Sequence, residues 1–255
     1  MCVKQIPDPA VPGQLDPSTN TLERDGKLIL DESDSYGVEM GLQLVEAAGG
    51  GDVSLVSMTP RGETSGLRTA LAMGASDAIL ISDEALAGTD ALGTAKVLAR
   101  SIQRLEPDLI LAGTESSDGY TGTVPEQVAA LLGLPSITFA KHIEIDGQTV
   151  KVQRQTEAGY DDVECPLPAL VSVTAGVVEP RYPSFKGIMA AKRKPVEELT
   201  VADLGVETGA VGQVGARQEI VAVTDAEARE AGEVVTDEGE AFQRVVEYLA
   251  ELKVI

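Results

Sequence analysis

The chain has 255 residues, 43% of them hydrophobic, with 41 acidic against 20 basic side chains and a formal net charge of −21. That acidity argues against nucleic acid and anionic membrane as partners, and no apolar run approaches the ~20 residues that span a bilayer. One histidine (His142) and two distant cysteines (Cys2 and Cys165) argue against a multi-histidine metal site, a disulfide framework and ordinary histidine catalysis.

Met1 to Ile6 reads as a strand end, closed by Pro7 and Pro9. It looks short, as if the first half of the strand were missing. The opening MCVKQIPDP shows no leader pattern, so the expected compartment is a reducing cytoplasm. Residues 10–30 are turn-rich, and Asp25-Gly26 predicts a hairpin leading to Lys27–Leu30. Asp34 or Ser35 is the expected N-cap of a helix with Val38, Leu42, Val45 and Ala48 on one face, ended by Gly49–Gly51.

A regular rhythm follows. Val53-Leu55-Val56, Ala78–Ile81 and Leu109–Ala112 read as short buried strands. Thr64–Met73, Leu92–Leu105 and Thr123–Leu132 read as helices between and after them. This alternation predicts an α/β fold, Rossmann-like, with a mainly parallel sheet and flanking helices over residues 1–195. Thr149–Gln153 and Leu170–Thr174 alternate like strands, joined through Glu157-Ala158-Gly159-Tyr160. From Pro195 the pattern weakens. Residues 196–255 hold fourteen acids and four bases, and only Phe242–Leu252 reads as a helix. This stretch is expected to be an extended C-terminal arm ending in a helix that packs on another chain. A disordered acidic tail is the alternative.

Two stretches carry chemistry. The loop after Leu109–Ala112, Gly113-Thr114-Glu115-Ser116-Ser117-Asp118-Gly119-Tyr120-Thr121-Gly122-Thr123, offers three glycines, several hydroxyls and a following helix N-terminus, which together suit a phosphate. Asp31-Glu32-Ser33-Asp34 and Ser57-Met58-Thr59-Pro60 are further candidates at strand and helix ends. Capping and turn formation would employ the same residues. No Walker or G-x-G-x-x-G loop is present, and no catalytic triad or carboxylate pair assembles. The second stretch, Glu179–Lys194, holds five basic residues (Arg181, Lys186, Lys192, Arg193, Lys194) and no acid after Glu179. Phe185 would stand exposed there, an apolar tip on a basic patch suited to docking. A short loop and a helix with a basic last turn would look the same.

The two stretches together carry a resemblance. Val3-Lys4-Gln5-Ile6-Pro7-Asp8, Arg68–Ala75, Asp118–Gly122 with Leu132-Gly133-Leu134-Pro135, and Leu167-Pro168-Ala169 running to Glu179-Pro180-Arg181-Tyr182 and Ile188–Lys194 are collinear. In these the chain resembles the beta subunit of electron-transfer flavoproteins. The resemblance implies an electron carrier rather than an enzyme. It would be a heterodimer with an alpha subunit that holds most of a shared FAD, with a structural AMP in the beta subunit. Electrons would come from acyl-CoA dehydrogenases and related flavin dehydrogenases and leave through a quinone oxidoreductase or another acceptor.

Carried over by position, AMP contacts would come from Cys2, Asp31, Glu32, Ser33, Asp34, Met58, Glu115, Ser116, Ser117, Asp118, Gly119, Tyr120, Thr121, Gly122 and Thr123. Partner docking would fall to Arg181, Tyr182, Pro183, Ser184, Phe185, Ile188 and Met189. Pro183–Met189 would form the presenting loop and Ala190–Lys194 its helical stem. Phe185 occupies a position that is usually leucine. Gln155 replaces a usual carboxylate, and the segment around Ser33 lacks an aromatic seen in some members. Some members carry a second flavin instead of AMP; Tyr120–Val124 resembles the AMP-binding form. A stand-alone nucleotide-binding module of the universal-stress-protein type is the alternative. An adenylating enzyme would need a pyrophosphate loop after the first strand that Pro7-Asp8-Pro9 does not supply.

Overall fold

Runs of apolar residues too short for helices, separated by amphipathic stretches, become a parallel sheet covered on both faces. The computed structural model describes residues 1–224, 232, 234–237, 239 and 241–255. It divides into a unit of residues 1–220 and a second of residues 221–255.

In the first unit, Gln5–Pro7 (β1) pairs antiparallel with Leu28–Leu30 (β2). Ser54–Thr59 (β3), Asp77–Ser82 (β4) and Val196–Leu199 (β10) form a parallel sheet in the order β10-β4-β3. Leu109–Gly113 (β5), Ala169–Val173 (β9), Ser136–Asp146 (β6), Thr149–Thr156 (β7) and Gly159–Pro166 (β8) form a mixed sheet in the order β5-β9-β6-β7-β8, parallel from β5 to β6 and antiparallel from β6 to β8. Met1–Val3 stitches the two together. Val3 N–H donates to Val56 O and Val56 N–H to Met1 O, while Cys2 N–H donates to Leu111 O, all at 2.9 Å. The result is one continuous hydrogen-bonded surface with Met1–Val3 near its middle.

The longer helices of this unit are Glu32–Ala47 (α1), Ser65–Met73 (α2), Ala91–Ile102 (α3), Val124–Leu132 (α4) and Phe185–Ala191 (α5). Alternation along each strand decides which helix it meets. Val56, Ile79 and Ile81 pack with Val97, Leu98 and Ile102 of α3 and Val128 of α4. Leu55, Ala78 and Leu80 face Val38 and Leu42 of α1 and Leu67 and Leu71 of α2. Helices on both faces explain why the central residues of β4, Ala78–Ile81, are apolar without alternation and all buried. A third cluster gathers Leu111, Val171, Ile143, Val150 and Val152.

Several local expectations are corrected. The residues 10–30 do not make a tight hairpin at Asp25-Gly26; β2 pairs back to β1, and the tight turn lies between the bridged pair Leu15 and Leu22. The cap of α1 is Asp31, not Asp34 or Ser35, because its carboxylate reaches the N–H of Ser33. Strands β6, β8 and β10 were not expected. In β6 the buried residues Ile137, Ala140 and Ile143 fall three apart, since register shifts between Ile137 and Ala140 and again between Ala140 and His142 break the period of two. The third of these strands is four residues long with two exposed glutamates, too brief to show a period. Phe185–Met189 lies in a helix rather than a loop, because Ser184 caps it through Gly187 N–H.

The second unit contains a helix over Ala241–Glu251, on which Phe242, Val245, Val246 and Leu249 lie on one stripe. The expected arm over residues 196–255 lies partly on 225–231, 233, 238 and 240, outside the described residues. Among the described residues no helix is long and apolar enough to cross a membrane.

Candidate functional site

Ligands in open α/β sheets sit beyond the carboxyl ends of strands where the chain turns off in opposite directions. Here that point lies between Met1–Val3 and β5: the chain proceeds outward through β3 and β4 on one side and through β5 and β9 on the other. Lys4, the start of α1 and the loop Gly113–Thr123 all emerge at this edge.

Most of the residues expected at the site meet there. Asp31, wholly buried, accepts at Oδ1 from Ser33 N–H (3.1 Å) and Ser33 Oγ (2.8 Å). At Oδ2 it accepts from Ser117 N–H (2.8 Å) and Ser117 Oγ (3.0 Å). Both oxygens are thus engaged within the protein, joining α1 to the loop. Asp34, one turn on, accepts from Lys4 N–H at 2.6 Å and from Gly113 N–H. Burial pushes its carboxyl up to about 8, against the pull of the Lys4 N–H. Gly113 admits this contact, since a Cβ there would stand 2.9 Å from Asp34 Oδ1.

Asp118 has two cations. Lys4 Nζ donates to Oδ1 at 2.7 Å and also to Ser116 Oγ at 3.1 Å. The Arg24 guanidinium lies 2.5 Å from Oδ2, a charge contact without hydrogen-bond alignment. Burial raises the carboxyl's pKa, but Lys4 and then Arg24 outweigh it and hold it below the usual range. Asp118 therefore stays ionised and folds the loop onto Lys4.

The remainder of the loop faces outward. Tyr120 (φ 47°) and Gly122 (φ 63°) are left-handed, and such turns aim successive N–H groups to one side. The N–H groups of Thr121, Gly122 and Thr123 have no acceptor among the described residues. Thr123 precedes α4 without capping it. In the first turn of α4, Glu126 Oε2 and Gln127 Oε1 are buried acceptors without a donor. Free donors at a helix N-terminus beside free acceptors fit a phosphate joined to a donor-bearing ribose or base. Cys2 and Met58 pack together on the α3 side of the same edge. Burial pushes the Cys2 thiol up to about 11, so it is a neutral lining group. Glu32 points to solvent at the start of α1. A groove of about 500 Å³ lined by His142, Glu144, Lys151 and Asp162 lies on β6–β8, away from this edge.

The basic stretch forms a separate surface. Tyr182 and Phe185 are 93% and 81% exposed, and Ile188 and Met189 stand beside them. Pro183 leads into Ser184, whose Oγ accepts from Gly187 N–H at 3.1 Å. Arg181 turns inward instead: Nε donates to Glu39 Oε2 at 2.6 Å, Nη2 to Glu39 Oε1 at 3.0 Å and Nη1 to Glu46 Oε1 at 2.9 Å. Burial would raise Glu39, but the Arg181 and Gln43 hydrogen bonds hold it below its ordinary value. Lys4, Arg24, Glu39 and Arg68 were not expected from sequence. For Lys4, Arg24 and Arg68 the available signal was scarcity, since in a chain this acidic a basic residue in or near a matched segment invites a partner; Glu39 carried no such signal.

The chain matches the family model described as electron transfer flavoprotein domain over residues 19–204. It is 46% identical over 141 residues to electron transfer flavoprotein subunit beta of Mycobacterium tuberculosis (strain H37Rv), covering 55% of this chain and 53% of that relative. It is 37% identical over 256 aligned positions to the protein of the same name from Thermoanaerobacterium thermosaccharolyticum, covering 99% of this chain and 98% of that relative. The Bradyrhizobium diazoefficiens protein of that name is 37% identical over 131 residues, covering 51% and 50%. The match thus spans about half the length of the mycobacterial relatives and nearly all of the Thermoanaerobacterium one.

Proposed function

This chain belongs to the electron transfer flavoprotein beta-subunit family, and we propose that it works as the beta half of a heterodimeric electron carrier. The heterodimer accepts electrons from acyl-CoA dehydrogenases or related flavin dehydrogenases and passes them to a quinone oxidoreductase or another acceptor. An FAD, held mostly by the alpha subunit, would supply the redox chemistry. This chain contributes binding and docking surfaces rather than a catalytic group, and the expected compartment is the cytoplasm.

The observation that carries the reading is a juxtaposition. Two of the segments by which the chain resembles the family, Arg68–Ala75 and Ile188–Lys194, lie far apart in sequence and are hydrogen-bonded to each other. Together they hold up the exposed Tyr182, Phe185, Ile188 and Met189. AMP would take the switch-point site. The N–H groups of Thr121–Thr123 would hold its phosphate, with Glu126 and Gln127 accepting from its hydroxyl or amino groups. Asp31, Ser33, Asp34, Ser117 and Asp118 would hold the walls, and Cys2 and Met58 would line them. Residues 1–220, with β10 in the sheet, would form the nucleotide unit with the docking segment 179–194. The arm is then shorter than the expected 196–255, and its helix Ala241–Glu251 would lay its apolar stripe on the alpha subunit.

Phe185→Ala tests the docking role. In the reconstituted heterodimer it is expected to weaken productive encounter with the reduced dehydrogenase by about 2 kcal/mol, with flavin content and thermal stability unchanged. Transfer kinetics equal to those of the unmodified complex would remove Phe185 as the anchor.

A further inference from the structure

The element that carries Phe185 is seven residues long, and an isolated helix of that length is not stable in water. It is held by an exchange of basic side chains with α2. Lys194, just past α5, donates from Nζ to the carbonyls of Leu71 (2.9 Å), Gly74 (3.2 Å) and Ala75 (2.6 Å), where α2 ends. Arg68, within α2, donates from Nη1 to the carbonyls of Ala191 (2.7 Å) and Lys194 (2.8 Å), where α5 ends. Each side chain closes the carbonyl end of the other's helix, the end that lacks backbone donors and favours a cation. Burial lowers the pKa of Lys194, as expected for an ammonium committed to carbonyls rather than water.

Between these contacts Gly187 brings the backbones together. A Cβ on Gly187 would stand 2.4 Å from Ala72 O, so any side chain there must push α5 away from α2. Upstream, Arg181 ties the entry to Glu39 and Glu46 of α1. Two of the five basic residues of the stretch are therefore engaged within the unit, Arg181 with Glu39 and Glu46 and Lys194 with the end of α2. Lys186, Lys192 and Arg193 remain exposed.

We propose that Gly187, Arg68 and Lys194 are positioning residues for partner docking. They fix how far α5 stands from α2 and how it tilts, and so set where Phe185 and Ile188 meet the dehydrogenase. The proposal rests on the docking role assigned to Phe185 above. A preformed platform spares the encounter the ordering of α5, which would otherwise be charged against affinity at each binding event. Loss of the platform thus weakens binding without slowing transfer inside the bound complex.

The test uses the full heterodimer and the dehydrogenase that reduces the unmodified complex. Arg68→Met, Arg68→Lys, Lys194→Met, Gly187→Ala and Phe185→Ala are compared by the KM for the heterodimer, by kcat, and by amide exchange over residues 185–191. Arg68→Met, Lys194→Met and Gly187→Ala are expected to raise KM about tenfold or more while kcat stays within about twofold. Exchange over residues 185–191 should speed up, and flavin content should not change. Arg68→Lys, which can still reach one carbonyl, should recover part of the loss. Unmodified KM in Arg68→Met, Lys194→Met and Gly187→Ala, with KM raised in Phe185→Ala, overturns the positioning role and leaves the docking reading intact. Unmodified KM in Phe185→Ala as well overturns both. Should Gly187→Ala fail to assemble, the Arg68 and Lys194 variants decide.

Discussion

Asp31 caps α1 and Asp34 stands in its first turn, and the two carboxylates have different partners. Asp31 receives four hydrogen bonds from Ser33 and Ser117. Asp34 is buried with the N–H groups of Lys4 and Gly113, near the Asp31 charge, and titrates at about 8. An unfolded aspartate titrates near about 3.9. Between these values the folded protein holds a proton that the unfolded chain has released. Stability is therefore highest below that window, falls as pH rises through it, and the contribution is gone once the pH passes the folded value. Asp34→Asn should remove this part of the pH dependence. Urea unfolding at pH 5, 6.5 and 8 should show a slope shallower than the unmodified protein's by up to about 1.4 kcal/mol per pH unit. Identical slopes would show that Asp34 is ionised throughout. The pairing of Asp34 with Gly113 was not legible in sequence. Both residues lie in stretches singled out for binding, yet only the fold reveals that one serves the other.

At the scale of elements, what could be read was what repeats. Helices α1 to α4 and strands β3, β4 and β5 follow from apolar period and glycine or proline stops, and they lie within a few residues of their expected bounds. The failures have physical causes. A bulged strand loses its period of two, as β6 does at Phe139 (φ 57°). An edge strand of polar residues such as Asp161, Asp162 and Glu164 in β8 shows little apolar signal. A capped single turn such as Ser184–Gly187 looks like a loop until Ser184 Oγ is seen to accept from Gly187 N–H. The central strands should carry the stability. Leu170 of β9 is wholly buried between β5 and β6 and packs in the α3–α4 cluster. Leu170→Ala is expected to cost about 3 kcal/mol, read as a lower urea midpoint at unchanged slope. A loss under about 1 kcal/mol would mean that the site collapses to fill the space.

At the scale of the whole molecule, a charge of −21 surrounds a short segment with five bases. Two of those five, Arg181 and Lys194, hold the segment to α1 and α2, while Lys186, Lys192 and Arg193 remain exposed beside Phe185. The switch-point edge and helix α5 are distinct surfaces of one unit, and Met1–Val3 joins the two halves of its sheet. The central claim is that this unit holds AMP at the switch point while FAD is shared with an alpha subunit. The direct measurement is to co-express the two subunits, purify the complex, denature it and identify the released small molecules by chromatography and mass. One AMP and one FAD per heterodimer is the expected result. Two FAD and no AMP, or no nucleotide at all, would contradict it.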